Sequence, residues 1–181
     1  MRKIFLIMAF LTIGMFYAQE TFTLKSNEIG GQLTLKQVFK GFGCTGENIS
    51  PQLSWENAPK ETKSFAIIMH DEVAPTGGSG WTHWVVFNIP TNTKELKSNA
   101  GNLTLNLLPK GSVQSITSFG IPGFGGACPP ENHGFHKYTF TIYALSVEKL
   151  ELDQNSNPSL VGYMINANTI EKASLVAYYK R

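Results

Sequence analysis

HKYTFTIYAL, residues 136–145, decides the fold. Tyr138, Phe140 and Ile142 fall on one face of an extended chain, and Thr139, Thr141 and Tyr143 on the other. That two-residue period is the mark of a strand. By the same alternation His136 shares a face with Tyr138 while Lys137 turns away. Working outward, FAIIM (65–69) and WVVFNI (84–89) are short continuous apolar runs, which read as strands buried on both faces. Residues 173–179 look like another strand, and 32–38 and 52–55 are weaker candidates. Gly and Pro punctuate these segments throughout, as expected for many short strands. One helix stands out. Asn157 can cap it and Pro158 suits its first position. Leu160, Tyr163, Met164 and Ala167 then predict a buried stripe. No repeat or low-complexity linker divides the chain. The pattern is mainly β in a single domain.

Residues 1–18 read as an export signal. Arg2 and Lys3 precede an apolar stretch over 4–17, and the small residue Ala18 stands before the polar Gln19 and Glu20. The large Phe16 stands where a small residue is preferred. The stretch is shorter than the roughly 20 residues that span a bilayer. No Cys follows it for lipid attachment. The expectation is therefore a signal peptide at 1–18, a domain at 19–181 and a soluble periplasmic or secreted protein. Residues 19–181 suffice for one substantial core. Losing Arg2 and Lys3 leaves the basic residues balanced against 13 acidic ones. With no Lys/Arg-rich block, nucleic-acid binding has no electrostatic support. The two cysteines, Cys44 and Cys128, tend to pair in an oxidising compartment; the alternative is two separate buried thiols. A disulfide there would close a long loop, for roughly 4 kcal/mol of chain entropy.

Two polar clusters interrupt the apolar pattern. In HDEVAPTGGSGWTHWVVFNIP (70–90), Asp71 leaves one buried run and His83 enters the next. Taken singly, Asp71 is as well explained by a turn and His83 by a satisfied core histidine. TGGSG (76–80) lacks the Lys-Ser/Thr ending of a phosphate loop and no helix follows it. In GFGGACPPENHGFHKYTFTIYAL (123–145), Gly125 and Gly126 allow close backbone approach. Pro129 and Pro130 form a stiff wall without N–H donors. His136 and Tyr138 then present an imidazole and a phenol side by side, both able to donate to an anion. His133 and His136 are three apart, but the surrounding Pro, Asn and Gly argue for a loop, and no third metal ligand is evident. No Gly-x-Ser-x-Gly elbow is present.

Together these clusters resemble the phosphatidylethanolamine-binding proteins, also called Raf kinase inhibitor-like proteins, and their bacterial branch in particular. The resemblance runs from GFGCTGENISPQLSWENAP (41–59) through DEVAP and WTHWVVFNIP to FGGACPPENHGFHKYTFTIYAL, and includes LVGYMINANTIEKASLVAYYKR (160–181). It implies two antiparallel sheets packed face to face, with peripheral helices that include the one near the C-terminus. It also implies one small anion pocket, formed by Asp71, His83, Pro129, Pro130, His136 and Tyr138. Two positions depart from the family pattern. Val73 stands where a second Asp is usual, and Lys137 where Arg is usual, so bidentate guanidinium pairing is lost there.

The resulting expectation is a binding protein without cofactor or metal and without catalytic residues. It would recognise a phosphate-like ligand or a phosphorylated head group. His83 and His136 would donate to the anion as a cationic pair, aided by backbone N–H groups near 126–128, with Asp71 orienting an imidazole. The alternatives are a protein-interaction role, such as inhibition of a protease or kinase, and a hydrolase using Asp71, His83 and His136 as acid and base.

Overall fold

A computed structural model describes residues 20–181, so the expected export signal lies outside the described residues. The elements are β1 (Thr23–Lys25), β2 (Lys40–Gly41), β3 (Cys44–Thr45), β4 (Leu53–Glu56), β5 (Ser64–Asp71), β6 (Trp81–Pro90), β7 (Glu95–Leu96), a single 3-10 turn (Leu103–Leu105), β8 (Val113–Gln114), β9 (His136–Leu145), α1 (Pro158–Ala167) and β10 (Thr169–Tyr179). The principal sheet has the order β10-β9-β5-β6-β8, antiparallel at every pairing. A second sheet has the order β1-β4-β7. The two-sheet expectation misses a third, the β2–β3 hairpin. Its turn needs left-handed backbone at Phe42 (φ 53°) and Gly43 (φ 81°), the conformation that two-residue hairpin loops select.

β5 is buried on both faces, as its unbroken apolar run requires. Phe65, Ile67 and Met69 enter the core shared with Leu24, Leu53, Trp55 and Leu96 of the second sheet. Ala66 and Ile68 face a second cluster with Val161 and Ile165 of α1. β6 shows the same division with one irregularity. Trp84 and Val86 join the first core, yet so does Ile89, which simple alternation would place opposite. The register shifts between the Phe65–Ile89 and Ile67–Val86 pairs, and Asn88 stands in that shift at φ 57°. Its side chain exchanges two hydrogen bonds with the backbone of Leu150, at 2.8 and 3.2 Å. The extra residue of a bulge is thus held from outside the sheet.

The helix begins as its sequence dictates. Asn157 caps it, accepting from Leu160 N at 2.9 Å, and Pro158 follows. The expected stripe is wrong. Leu160, Tyr163 and Ala167 are exposed, and the buried residues are Val161 and Ile165, with Met164 packed beside them. Residues 32–38 make isolated bridges at Gln32 and Val38 rather than a strand. No helix of the described residues is long and apolar enough to cross a membrane.

Candidate functional site

Asp71 ends β5, and the sheet register sets it opposite Trp81 on β6 and Tyr138 on β9. His83 follows Trp81 by two residues, and His136 precedes Tyr138 by two, so the four polar side chains converge at one end of the principal sheet. Asp71, His83, Pro129, Pro130, His136 and Tyr138 all line a cavity of about 250 Å³. The two clusters of the sequence are therefore one place.

Both oxygens of the Asp71 carboxylate accept hydrogen bonds. Oδ1 accepts from Val73 N at 2.9 Å, an Asx-type turn, and Oδ2 accepts from His136 Nδ1 at 2.6 Å. Both side chains are buried. The substituted Val73 thus contributes through its backbone. Lys137 points away as alternation requires, and pairs with Glu72 at 2.8 Å on the surface.

His83 is 4% exposed. Its Nδ1 lies 2.8 Å from the carbonyl oxygen of Gly125 and 3.1 Å from that of Gly126. Carbonyls only accept, so Nδ1 carries the hydrogen, and in the neutral ring Nε2 is a bare lone pair. Burial lowers the pKa of His83 to about 4, against weaker opposing effects of Gly125, Asp71 and Gly126. The expected cationic histidine pair is therefore corrected at His83, which is neutral near pH 7.

The expected help from backbone donors is corrected at Gly126 and Ala127. Gly125 N donates to His83 O, Gly126 N to Asn48 Oδ1 at 2.7 Å, and Ala127 N to Gln37 O. The two glycines serve packing instead. A Cβ at Gly125 would stand 2.2 Å from the Phe119 ring, and one at Gly126 would stand 2.1 Å from Gln37 O.

His136 uses both nitrogens. Beyond Asp71, its Nε2 lies 2.7 Å from Nδ1 of the exposed His133. The pair whose spacing raised the metal question is thus a direct histidine–histidine hydrogen bond. No group of three or more His, Cys, Asp or Glu able to hold a metal exists among the described residues. Tyr138 is buried, and its hydroxyl makes no hydrogen bond among the described residues. Burial, then the Asp71 charge beside it and the pull of that carboxylate on the O–H, raise its pKa well above the usual range, so it remains a donor.

Sequence reasoning missed the aromatic wall. Phe42, Trp81 and Phe119 also line the cavity. Phe119 packs against Phe39, Phe42, Trp81 and His83, with centroids 4.7–5.8 Å apart. Trp81 was recoverable as the residue two before His83 on one strand face. Phe119, from a loop, gave no local signal. Cys44 and Cys128 are joined in a disulfide, which ties the β2–β3 hairpin beside the Pro129-Pro130 wall. Arg181 donates to Phe42 O at 3.3 Å and stands behind this bond. Among the described residues no lysine or arginine lines the cavity.

Comparison with known proteins gives a consistent answer. The family model for phosphatidylethanolamine-binding proteins matches residues 25–180. The YbcL protein of Escherichia coli is 49% identical over 177 residues, 96% of this chain and 94% of its own. YbhB of the same organism is 40% identical over 158 residues, 86% of this chain and 98% of its own. The crystal structure of YbcL superposes with a TM-score of 0.86 at 48% identity, covering 91% of this chain and 99% of that one. A Chlamydia trachomatis homologue gives 0.73 at 26% identity, covering 88% and 97%.

Proposed function

This chain belongs to the phosphatidylethanolamine-binding protein family, and from that premise we propose that it is a binding protein for a small acidic, phosphate-like ligand rather than an enzyme. The observation that carries this reading is the convergence of Asp71, His83, His136 and Tyr138 on one cavity of about 250 Å³, walled by Pro129, Pro130, Phe42, Trp81 and Phe119. Such a lining combines apolar walls with a few placed polar groups, the usual make-up of a small-molecule site. The chemistry of the lining supports binding over turnover. Its one thiol, Cys128, is spent in the disulfide, and its one aliphatic hydroxyl, Thr76, donates to Gly80 O at 3.0 Å. Neither is an activated nucleophile next to a base.

The disulfide also supports the reading of residues 1–18 as an export signal, since such bonds persist in oxidising compartments. Isothermal titration of inorganic phosphate and phosphoethanolamine into wild type and Tyr138→Phe tests the pocket. Binding to wild type that weakens at least tenfold in the variant is expected. Equal affinity in both would remove the cavity from the reading. Mass spectrometry of the exported protein, showing whether the chain begins after Ala18, tests the export signal.

A further inference from the structure

Resting on the reading of this cavity as an acidic-ligand site, we propose that the pocket binds its ligand together with one proton, held between His83 Nε2 and a ligand oxygen, and so selects phosphate and phosphomonoesters over phosphodiesters.

The two carbonyls of Gly125 and Gly126 hold the His83 hydrogen on Nδ1, which leaves an acceptor turned to the cavity. His136 gives its Nδ1 hydrogen to Asp71, and its Nε2 is occupied by His133. The backbone N–H groups of 125–127 are committed elsewhere. The donors that remain in the lining, the Tyr138 hydroxyl, the Trp81 indole N–H and Cys128 N, are all neutral. A fully deprotonated anion would meet a lone pair at His83 and a carboxylate at Asp71. Among the described residues no lysine or arginine lines the cavity to offset either. One added proton converts the His83 contact from repulsion between lone pairs into a charge-assisted hydrogen bond.

The charged and titratable surroundings of His83 are Asp71 from β5, His136 and Tyr138 from β9, and His70 on the far face of β5. His133 stands beyond His136. Burial keeps His83 from supplying the proton itself near neutrality, its pKa being about 4. The ligand must then bring the proton. A phosphomonoester does so readily, because its second ionisation lies at about pH 6. A diester has no such proton and must protonate His83 against its burial. The phosphate of intact phosphatidylethanolamine is a diester, so soluble monoesters or free phosphate are the favoured source.

The test is calorimetric titration of methyl phosphate and dimethyl phosphate into the wild-type protein, at pH 5 to 8, in buffers of different ionisation enthalpy. For methyl phosphate, proton uptake should approach one per ligand at pH 8 and fall toward zero at pH 5. Affinity should fall about tenfold per pH unit above about pH 6. Dimethyl phosphate should bind at least tenfold more weakly at pH 7. In His83→Asn the amide can keep the donor to Gly125 and Gly126 while Nε2 is lost, so proton uptake at pH 8 should vanish. Nitrogen-15 shifts of the wild-type imidazole provide a readout free of mutation, with an Nδ1–H tautomer expected before ligand is added. Methyl phosphate binding without proton uptake at pH 8, uptake that survives His83→Asn, or an Nε2–H resting tautomer would each overturn the inference and leave the pocket reading standing. Absence of binding by either ester at every pH would instead overturn the pocket reading, and the inference with it.

Discussion

Asp71 and His136 meet across the β5–β9 pair, Oδ2 to Nδ1 at 2.6 Å, with both side chains buried. The same carboxylate accepts from Val73 N through Oδ1. One side chain thus orients an imidazole and folds the loop that leaves β5. Asp71→Asn supplies one acceptor oxygen for two donors, so one buried N–H loses its partner and the remaining bond loses its charge. The expected loss is about 2 kcal/mol of stability, read from urea denaturation, with weaker phosphate binding. An unchanged unfolding midpoint would contradict the assigned role.

Acid should destabilise the fold through His83. Its folded pKa of about 4 lies below the ordinary value of 6.5. The unfolded chain therefore binds more protons between those values, and stability falls as pH drops through that window. The whole effect is about 3 kcal/mol at most. Above pH 6.5 this group contributes no slope. Denaturation midpoints from pH 7.5 to 4 should show the decline in wild type and a shallower one in His83→Asn. Parallel profiles would assign the acid sensitivity to other groups.

The Cys44–Cys128 bond spans 84 residues of sequence. Constraint of the unfolded chain then amounts to roughly 4 kcal/mol. Reduction, or paired Cys44→Ser and Cys128→Ser substitution, should lower stability by an amount of this order, measured in denaturant with and without reductant. Ligand affinity should fall too, because Cys128 and Phe42 both form cavity wall. Two free thiols by intact mass in protein isolated without reductant would contradict the pairing.

Gly126→Ala should be among the most damaging small substitutions. Its Cβ would stand 2.1 Å from Gln37 O and 2.7 Å from Phe39 N, backbone atoms that cannot swing aside. Relief requires moving the segment whose carbonyls hold His83. Overpacking of this kind costs about 1–3 kcal/mol, and the His83 imidazole resonances should shift with it. Stability and spectra equal to wild type would show that the segment yields freely.

The parts of this molecule that were legible from sequence are those fixed by local pattern. FAIIM could only be buried on both faces, and alternation placed His136 with Tyr138 and turned Lys137 outward. Caps at Asn157 and Pro158 located the helix start. Its buried face was not legible, because Leu160, Val161, Tyr163, Met164 and Ile165 nearly encircle the axis; packing on Ala66, Val85 and Phe87 made the choice. The joining of the two clusters came from family resemblance, since strand order cannot be read from periodicity. The tautomer of His83 and the His133–His136 contact depend on carbonyls and a turn brought in from elsewhere, so residue type alone pointed to a cationic pair. The β2–β3 hairpin was missed because two-residue strands carry no period at all.

Tyr138→Phe separates stability from function most cleanly. The hydroxyl is buried, and it has no hydrogen-bond partner among the described residues. The Asp71 carboxylate, whose oxygens also serve Val73 N and His136 Nδ1, acts on it both by charge and as an acceptor. Removing the hydroxyl leaves the ring, its 5.2 Å edge contact with His83 and its burial in the core unchanged in kind. The ligand-free variant should therefore match wild type in stability to within about 1 kcal/mol, with the same denaturant slope. Phosphate should bind the variant more weakly, since the free donor that awaits it is gone. Stability then stays nearly constant while affinity falls, which separates the hydroxyl's part in the site from any part in the fold. A ligand-free variant less stable than wild type by clearly more than this would mean that the hydroxyl is tied into the fold, and would remove it from the site.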